Sequence, residues 1–378
     1  MSGSFRIGRI AGIDINIHVS WLIILVLLTF ALASGYFPAA YPGHTNVTYV
    51  VLGLISTILL FVSVLLHELA HSFVARARGL PVHSIVLFIF GGVSNIEQEP
   101  QTAGVEFSMA LVGPLVSLLI GALCYGLLFL VRGSQSPVVS VLSYLAFTNI
   151  LLGVFNLIPG FPLDGGRVLR SIIWKVTGNV HLATNVATMA GQVFAYLFIF
   201  FGIVQFFAGN GLNGLFIAFI GWFLLSAAHA ARTQSVLDTT FEGVLVSQVM
   251  TTSVVTTPAN ISLQKFVDEY LLPQGLRSAF VMRGEQLAGL ITLSDVRHVP
   301  REQWSQTLVG LTMVPVERLH TIAPHQSLKE VLPLMNGEDV NQLPVLLDGK
   351  LVGVLTRDAV LRSLEIRRTL GLSQKRAA

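Results

Sequence analysis

A chain of 378 residues that is 53% hydrophobic and 11% charged, with a mean hydropathy of +0.72, is not an ordinary soluble protein, in which about a quarter of residues carry charge. Its net charge of +3 is too small and too scattered for a nucleic-acid surface, so no nucleic-acid partner is expected. Cys124 is the single cysteine, which excludes an internal disulfide and a thiolate metal cluster.

Arg6 and Arg9 precede a first apolar run near residues 17–37. No small-residue cleavage site follows it, so it reads as a retained span and not as a signal peptide. Runs long enough to cross about 30 Å of hydrocarbon follow near 50–75, 104–131, 138–158, 185–208 and 211–231. Basic residues gather at alternate ends: Arg6 and Arg9, then Arg76 and Arg78, then Arg167, Arg170 and Lys175, then Arg232. The positive-inside rule then gives six spans in the cell membrane with both termini cytosolic, against the one exception of Arg132. Glu97, Glu99 and Glu106 are expected to flank the membrane surface.

Between the second and third spans, residues 82–96 are too short for a spanning helix, rich in β-branched and aromatic residues, and broken by Gly91-Gly92. A β-hairpin dipping into the membrane region is the expectation, with its backbone covered by protein or a water-filled cavity.

Charge density changes after Arg232: residues 1–232 hold 15 of the 43 Lys, Arg, Asp and Glu. The remainder repeats. Met250, Pro258, Ser262-Leu263, Phe280-Val281, Gly289 and Thr292 recur as Met313, Pro324, Ser327-Leu328, Pro344-Val345, Gly353 and Thr356, at an offset of 63 to 66 residues. The expected organisation is a membrane domain at 1–232, a linker at 233–243, a soluble tandem α/β pair at 244–366 (about 244–300 and 307–366), and a polar tail at 367–378.

The second span ends in His67-Glu68-Leu69-Ala70-His71. Histidines at i and i+4 stand one above the other on a helix, so both imidazoles reach one ion, and Glu68 is placed to act on a water bound there. Ionisable residues inside a bilayer cost roughly 2.5–3.5 kcal/mol each on insertion scales, and a purely packing role leaves that cost unexplained. A hydrolytic zinc site needs a third protein ligand and an open position. Asp164, beyond the unwound stretch that follows span four, lies three residues before Arg167, and His71 lies five before Arg76, so both reach a similar depth near the cytosolic face. Capping the helix after it is the alternative role for Asp164.

These residues resemble the site-2 protease family of intramembrane zinc metalloproteases. The matching motifs are His-Glu-x-x-His, here His67, Glu68 and His71, and Asn-x-x-Pro-x-x-x-x-Asp-Gly, here Asn156, Pro159, Asp164 and Gly165, together with Phe90-Gly91-Gly92 and Ala110-Leu111-Val112-Gly113-Pro114. The resemblance implies one Zn²⁺ per chain on His67, His71 and Asp164, with Glu68 as catalytic base. It also implies that Asn156 orients a membrane-anchored protein substrate and that the hairpin at Gly91 and Gly92 pairs with an unwound substrate strand.

The repeat resembles a tandem pair of cystathionine-β-synthase (CBS) domains, which implies an adenine nucleotide (ATP, ADP or AMP) in the cleft and homodimerisation as a further property. Thr292 and Asp295 in copy one, and Thr356 and Asp358 in copy two, are the implied nucleotide residues; the second pair is one residue short of the pattern. The rival reading is a CBS-regulated ion transporter or channel, and no duplicated membrane half supports it. A catalytically silent membrane scaffold is a third reading, which the intact Glu68 opposes.

Overall fold

The computed structural model describes residues 3–370 apart from 90, 97–99, 132–135, 242 and 338–339. Phe90, Glu97, Glu99, Arg132 and most of the expected tail therefore lie outside the described residues. The chain divides into two compact units, Met1–Ser235 and Val236–Ala378.

Among the described residues of the first unit six helices are long and apolar enough to cross a membrane. They are α1 (Ser20–Ala40, with a π-helical turn at Leu32–Tyr36), α2 (Asn46–Ala77), α3 (Ala103–Leu130), α4 (Pro137–Asn156), α6 (Val180–Phe207) and the Gly211–Ala230 part of α7 (Gly211–Thr240). α5 (Asp164–Thr177) is a shorter amphipathic helix. Thr45, Thr102, Ser136 and Asn179 accept hydrogen bonds from first-turn amides of α2, α3, α4 and α6, so each start is written in a side chain. α7 continues to Thr240, so much of the segment expected as a linker is helical.

The expected hairpin is present as β3 (Val82–Phe88) and β4 (Gly91–Ile96), but it is half of a larger object. Residues Ser4–Ile10 and Ile13–His18 form β1 and β2, and the four strands make one sheet in the order β1-β2-β3-β4. The outer pairs are antiparallel, and β2 runs parallel to β3. Alternation in Ile13-Asp14-Ile15-Asn16-Ile17 turns three isoleucines inward, where they pack with Ile85 and Leu87 against Leu69 and Ala75 of α2 and Met109 of α3. That one-sided core seats the sheet on the helix that carries His67, Glu68 and His71.

The second unit is a pair of α/β copies. Strands Thr256–Pro258, Ser278–Arg283, Gln286–Thr292 and Val314–Pro315 form one sheet in that order, and Gln342–Leu347 pairs with Lys350–Thr356 in the other. The lead-in to each copy pairs with the other copy: Val314 with Leu290, and Thr251 with Val354. This exchange accounts for the repeated Met and Gly. A Cβ on Gly289 would overlap Val314 and Met313 Sδ, and one on Gly353 would meet Met250 Sδ and the Thr251 carbonyl.

Candidate metal centre

α2 presents His67 and His71 one turn apart, and α5 brings Asp164 to them. His67 Nε2 lies 3.1 Å from His71 Nε2, and Asp164 Oδ2 is 3.2 Å from the first and 3.3 Å from the second. A tetrahedral zinc with bonds of about 2.0–2.1 Å holds its donors roughly 3.3 Å apart. The three atoms therefore have the spacing of one face of such a site. Each histidine is fixed by its other nitrogen: His71 Nδ1 donates to the Met109 carbonyl at 2.6 Å, and His67 Nδ1 lies 2.9 Å from Ser117 Oγ. These bonds turn each Nε2 towards Asp164, and three such atoms this close need a cation among them, either an imidazolium proton or a metal ion. For a metal ion, the outer partners that set ligand orientation are in place. Burial alone would raise the Asp164 carboxyl pKa. The hydrogen bonds and charges of the two imidazoles outweigh it and hold the group well below the usual carboxylate range, in the ionised form that a ligand needs.

Leu163, not Asp164, is the N-cap of α5; Asp164 is the first helical residue, with its side chain turned to the histidines. The loop from Asn156 folds tightly under it, since Cβ atoms on Gly165 and Gly166 would overlap the backbones of Leu157–Ile158 and Gly160–Phe161. Glu106, in the first turn of α3, is fully buried and paired with Arg170 of α5 at 2.5 Å. The Arg170 guanidinium also stacks over Phe161, 5.3 Å from the ring centre. This pair ties the Asp164 helix to the helix that supplies Met109 and Ser117. Arg170→Met removes the cation paired with a buried carboxylate and is expected to cost about 3–5 kcal/mol, whereas Glu106→Gln/Arg170→Met together should cost markedly less. Thermal unfolding in detergent compares the two, and equal losses would remove the ion pair from the account.

Glu68 adjoins the sheet edge. Ser94 Oγ of β4 donates to Glu68 Oε2 at 2.8 Å, and a Cβ on Gly92 would overlap the Glu68 side chain. Gly91 and Gly92 pair with Phe88 and Leu87 across the hairpin. Asn156 is the last residue of α4, and its Nδ2 donates to the Leu152 carbonyl at 3.0 Å. Sequence reasoning gave no role to Gly113, Ser117, Ser94 or the Met109 carbonyl. A Cβ on Gly113 would overlap Nε2 of both histidines, so α3 passes against the donors themselves. The Gly113-Pro114 pair, which α3 carries in its interior, was the only available signal.

In the second unit Thr292 and Asp295 close a capping box. Thr292 N and Oγ1 donate to Asp295 Oδ2 at 2.8 and 2.7 Å, and Asp295 N donates back to Thr292 Oγ1 at 3.3 Å. In copy two Thr356 Oγ1 accepts from the amide of Ala359 at 3.1 Å. The residue equivalent to Asp295 is thus Ala359, and Asp358 sits one place earlier, exposed.

Comparison with known proteins gives a consistent set of relatives. The profile of peptidase family M50 matches residues 55–139 and 132–201, and that of the CBS domain matches 246–302 and 312–366. The candidate zinc metalloprotease Rip3 of Mycobacterium tuberculosis is 36% identical over 97% of this chain and 94% of its own length. The candidate zinc metalloprotease sll0528 of Synechocystis is 34% identical over 97% of this chain and 96% of its own. A solved site-2 protease of Methanocaldococcus jannaschii is 30% identical, covering 60% of this chain and 94% of its own, with a TM-score of 0.42.

Proposed function

From the premise that the chain belongs to peptidase family M50, the site-2 proteases, we propose that it hydrolyses a peptide bond in or near a transmembrane segment of a membrane-anchored protein. As a member it is a zinc metalloprotease carrying a CBS pair. The observation that carries the reading is the convergence of His67, His71 and Asp164 at zinc-donor spacing, beside Glu68. Those three residues would hold one zinc, which supplies Lewis acidity at the scissile carbonyl and makes a water in the site more acidic.

The chain's own residues do the rest. Glu68 takes the proton of the attacking water and passes it to the leaving amine. A helical substrate hides its carbonyls, so it must unwind to reach the site. Among the described residues β4 is paired on one side only, and its free edge beside Gly91 and Gly92 offers replacement hydrogen bonds. Asn156, at the end of α4, is assigned to substrate orientation. Charge distribution places both termini and the opening of the site on the cytosolic side. Cleavage of a membrane-anchored model substrate by the purified chain and by Glu68→Gln tests the activity directly, and normal cleavage by that variant would overturn it.

We assign adenine-nucleotide binding to the CBS pair, with one dominant site per chain through Thr292 and Asp295, because Ala359 stands where copy two would need a carboxylate. Regulation follows only if the nucleotide favours one arrangement of the CBS pair over another, a coupling of about 1–3 kcal/mol in typical cases. Calorimetry with ATP, ADP and AMP on the full chain should give one binding event that Asp295→Asn weakens while Asp358→Asn leaves it intact. No heat with any nucleotide would reduce the pair to a folding and dimerisation module.

A further inference from the structure

β4 has two faces with different neighbours. Val93 and Asn95 are exposed, whereas Gly92, Ser94 and Ile96 turn towards α2 and the core beneath the sheet. Ser94 is the only inward residue of that strand with a hydroxyl, and it stands between two groups of α2. Its proton goes to Glu68 Oε2 at 2.8 Å, and it accepts from Ser72 Oγ at 3.1 Å. Ser72 is fully buried and lies one helical turn beyond Glu68. With its donor bond taken by Ser94, Ser72 holds the Ser94 oxygen in place, and Ser94 has one proton to give, directed to the carboxylate.

We propose that Ser94 is a positioning residue for Glu68, so that the strand offering its edge to the substrate also sets the orientation of the general base. This rests on the reading of Glu68 as that base. The physical ground is rotamer freedom. A glutamate has three side-chain torsions, and the space left by Gly92 admits its side chain without selecting one orientation. A single charge-assisted hydrogen bond from a strand hydroxyl selects it. Because Ser94 points to α2 and the substrate would meet the strand edge, base alignment and substrate affinity are carried by different atoms of one strand. A peptide added to β4 would stiffen that strand and with it the Ser94 donor, so docking of the substrate and alignment of the base become a single event.

The test uses the full chain reconstituted in membranes with a membrane-anchored model substrate, and reads kcat, KM and zinc content together. Ser94→Ala should lower kcat about tenfold, with KM and bound zinc unchanged, as expected for losing one hydrogen bond to a charged group. Ser94→Thr keeps the hydroxyl on a residue suited to a strand and should restore most of the rate. Ser72→Ala, which removes only the second bond of the relay, should lower kcat by a smaller factor and provides the reading if Ser94→Ala does not fold. Unchanged kcat in Ser94→Ala would overturn the assignment. So would a fall that Ser94→Thr leaves uncorrected, or one that comes with lost zinc, because either marks a packing defect. Glu68→Gln is run alongside: if it cleaves at the normal rate, the general-base reading itself has failed, a result distinct from every Ser94 outcome.

Discussion

Glu68→Gln should keep one zinc per chain and lose cleavage by about a thousandfold or more, whereas His67→Ala, His71→Ala and Asp164→Ala should each lose the metal and the activity together. The contrast follows from geometry. The two Nε2 atoms and Asp164 Oδ2 lie within 3.3 Å of one another, so each is an equal share of a three-atom donor face. Removing one leaves two protein donors, too few for a stable catalytic site. Glu68 stands outside that face, held by Ser94, and the contribution proposed for it is proton transfer, typically worth about 10²–10⁴-fold in rate. Ser117→Ala removes only the outer partner of His67 and should weaken zinc by about tenfold or somewhat more. Zinc is measured by elemental analysis of the purified protein and activity by substrate cleavage. Full zinc and full activity in Asp164→Ala would put the third ligand elsewhere and refute this donor set.

Two glycine variants should separate metal binding from catalysis without replacing any of the three donors. Gly113→Ala places a methyl group in the space of both Nε2 atoms, and a buried helix backbone cannot retreat far enough to make room. Loss of zinc and of all activity is expected. Gly92→Ala instead drives a methyl group into the Glu68 side chain, which must swing away while the three donors stay put. Zinc should be retained and cleavage should fall by about a hundredfold, the scale expected for displacing a reacting group by roughly 1 Å. Gly126→Ala, on the same helix with nothing near its added Cβ, is the control and should match the parent protein in both measurements. If Gly113→Ala holds a full complement of zinc, the close approach of α3 to the donors is not what the geometry implies.

Much of this protein is legible in its residues before any fold is known. Six spans, the hairpin at 82–96 and the repeated unit were legible because each is local: hydropathy over about twenty residues, a glycine pair between β-branched runs, a fixed offset. Two of the proposed zinc donors were legible for the same reason, since i and i+4 spacing on one helix converts directly into shared geometry. Asp164 was reachable because membrane topology restricts depth, which leaves few places for a third donor. The Glu106–Arg170 pair is not legible, because a lone acidic residue near a helix start gives no sign of Arg170, which lies 64 positions away on another helix. The alternation Ile13-Asp14-Ile15-Asn16-Ile17 is itself a strand signal, but its partner strand β3 and the α2 residues beneath it are set only by the fold. The fold, and no local pattern, sets which group fixes each imidazole, which glycines stand against the proposed donors, and which hydroxyl meets Glu68. The reason is range: those contacts join elements 20 to 100 residues apart, and their specificity lies in space left empty by a missing Cβ, in a backbone carbonyl, or in a serine whose partner only the fold selects.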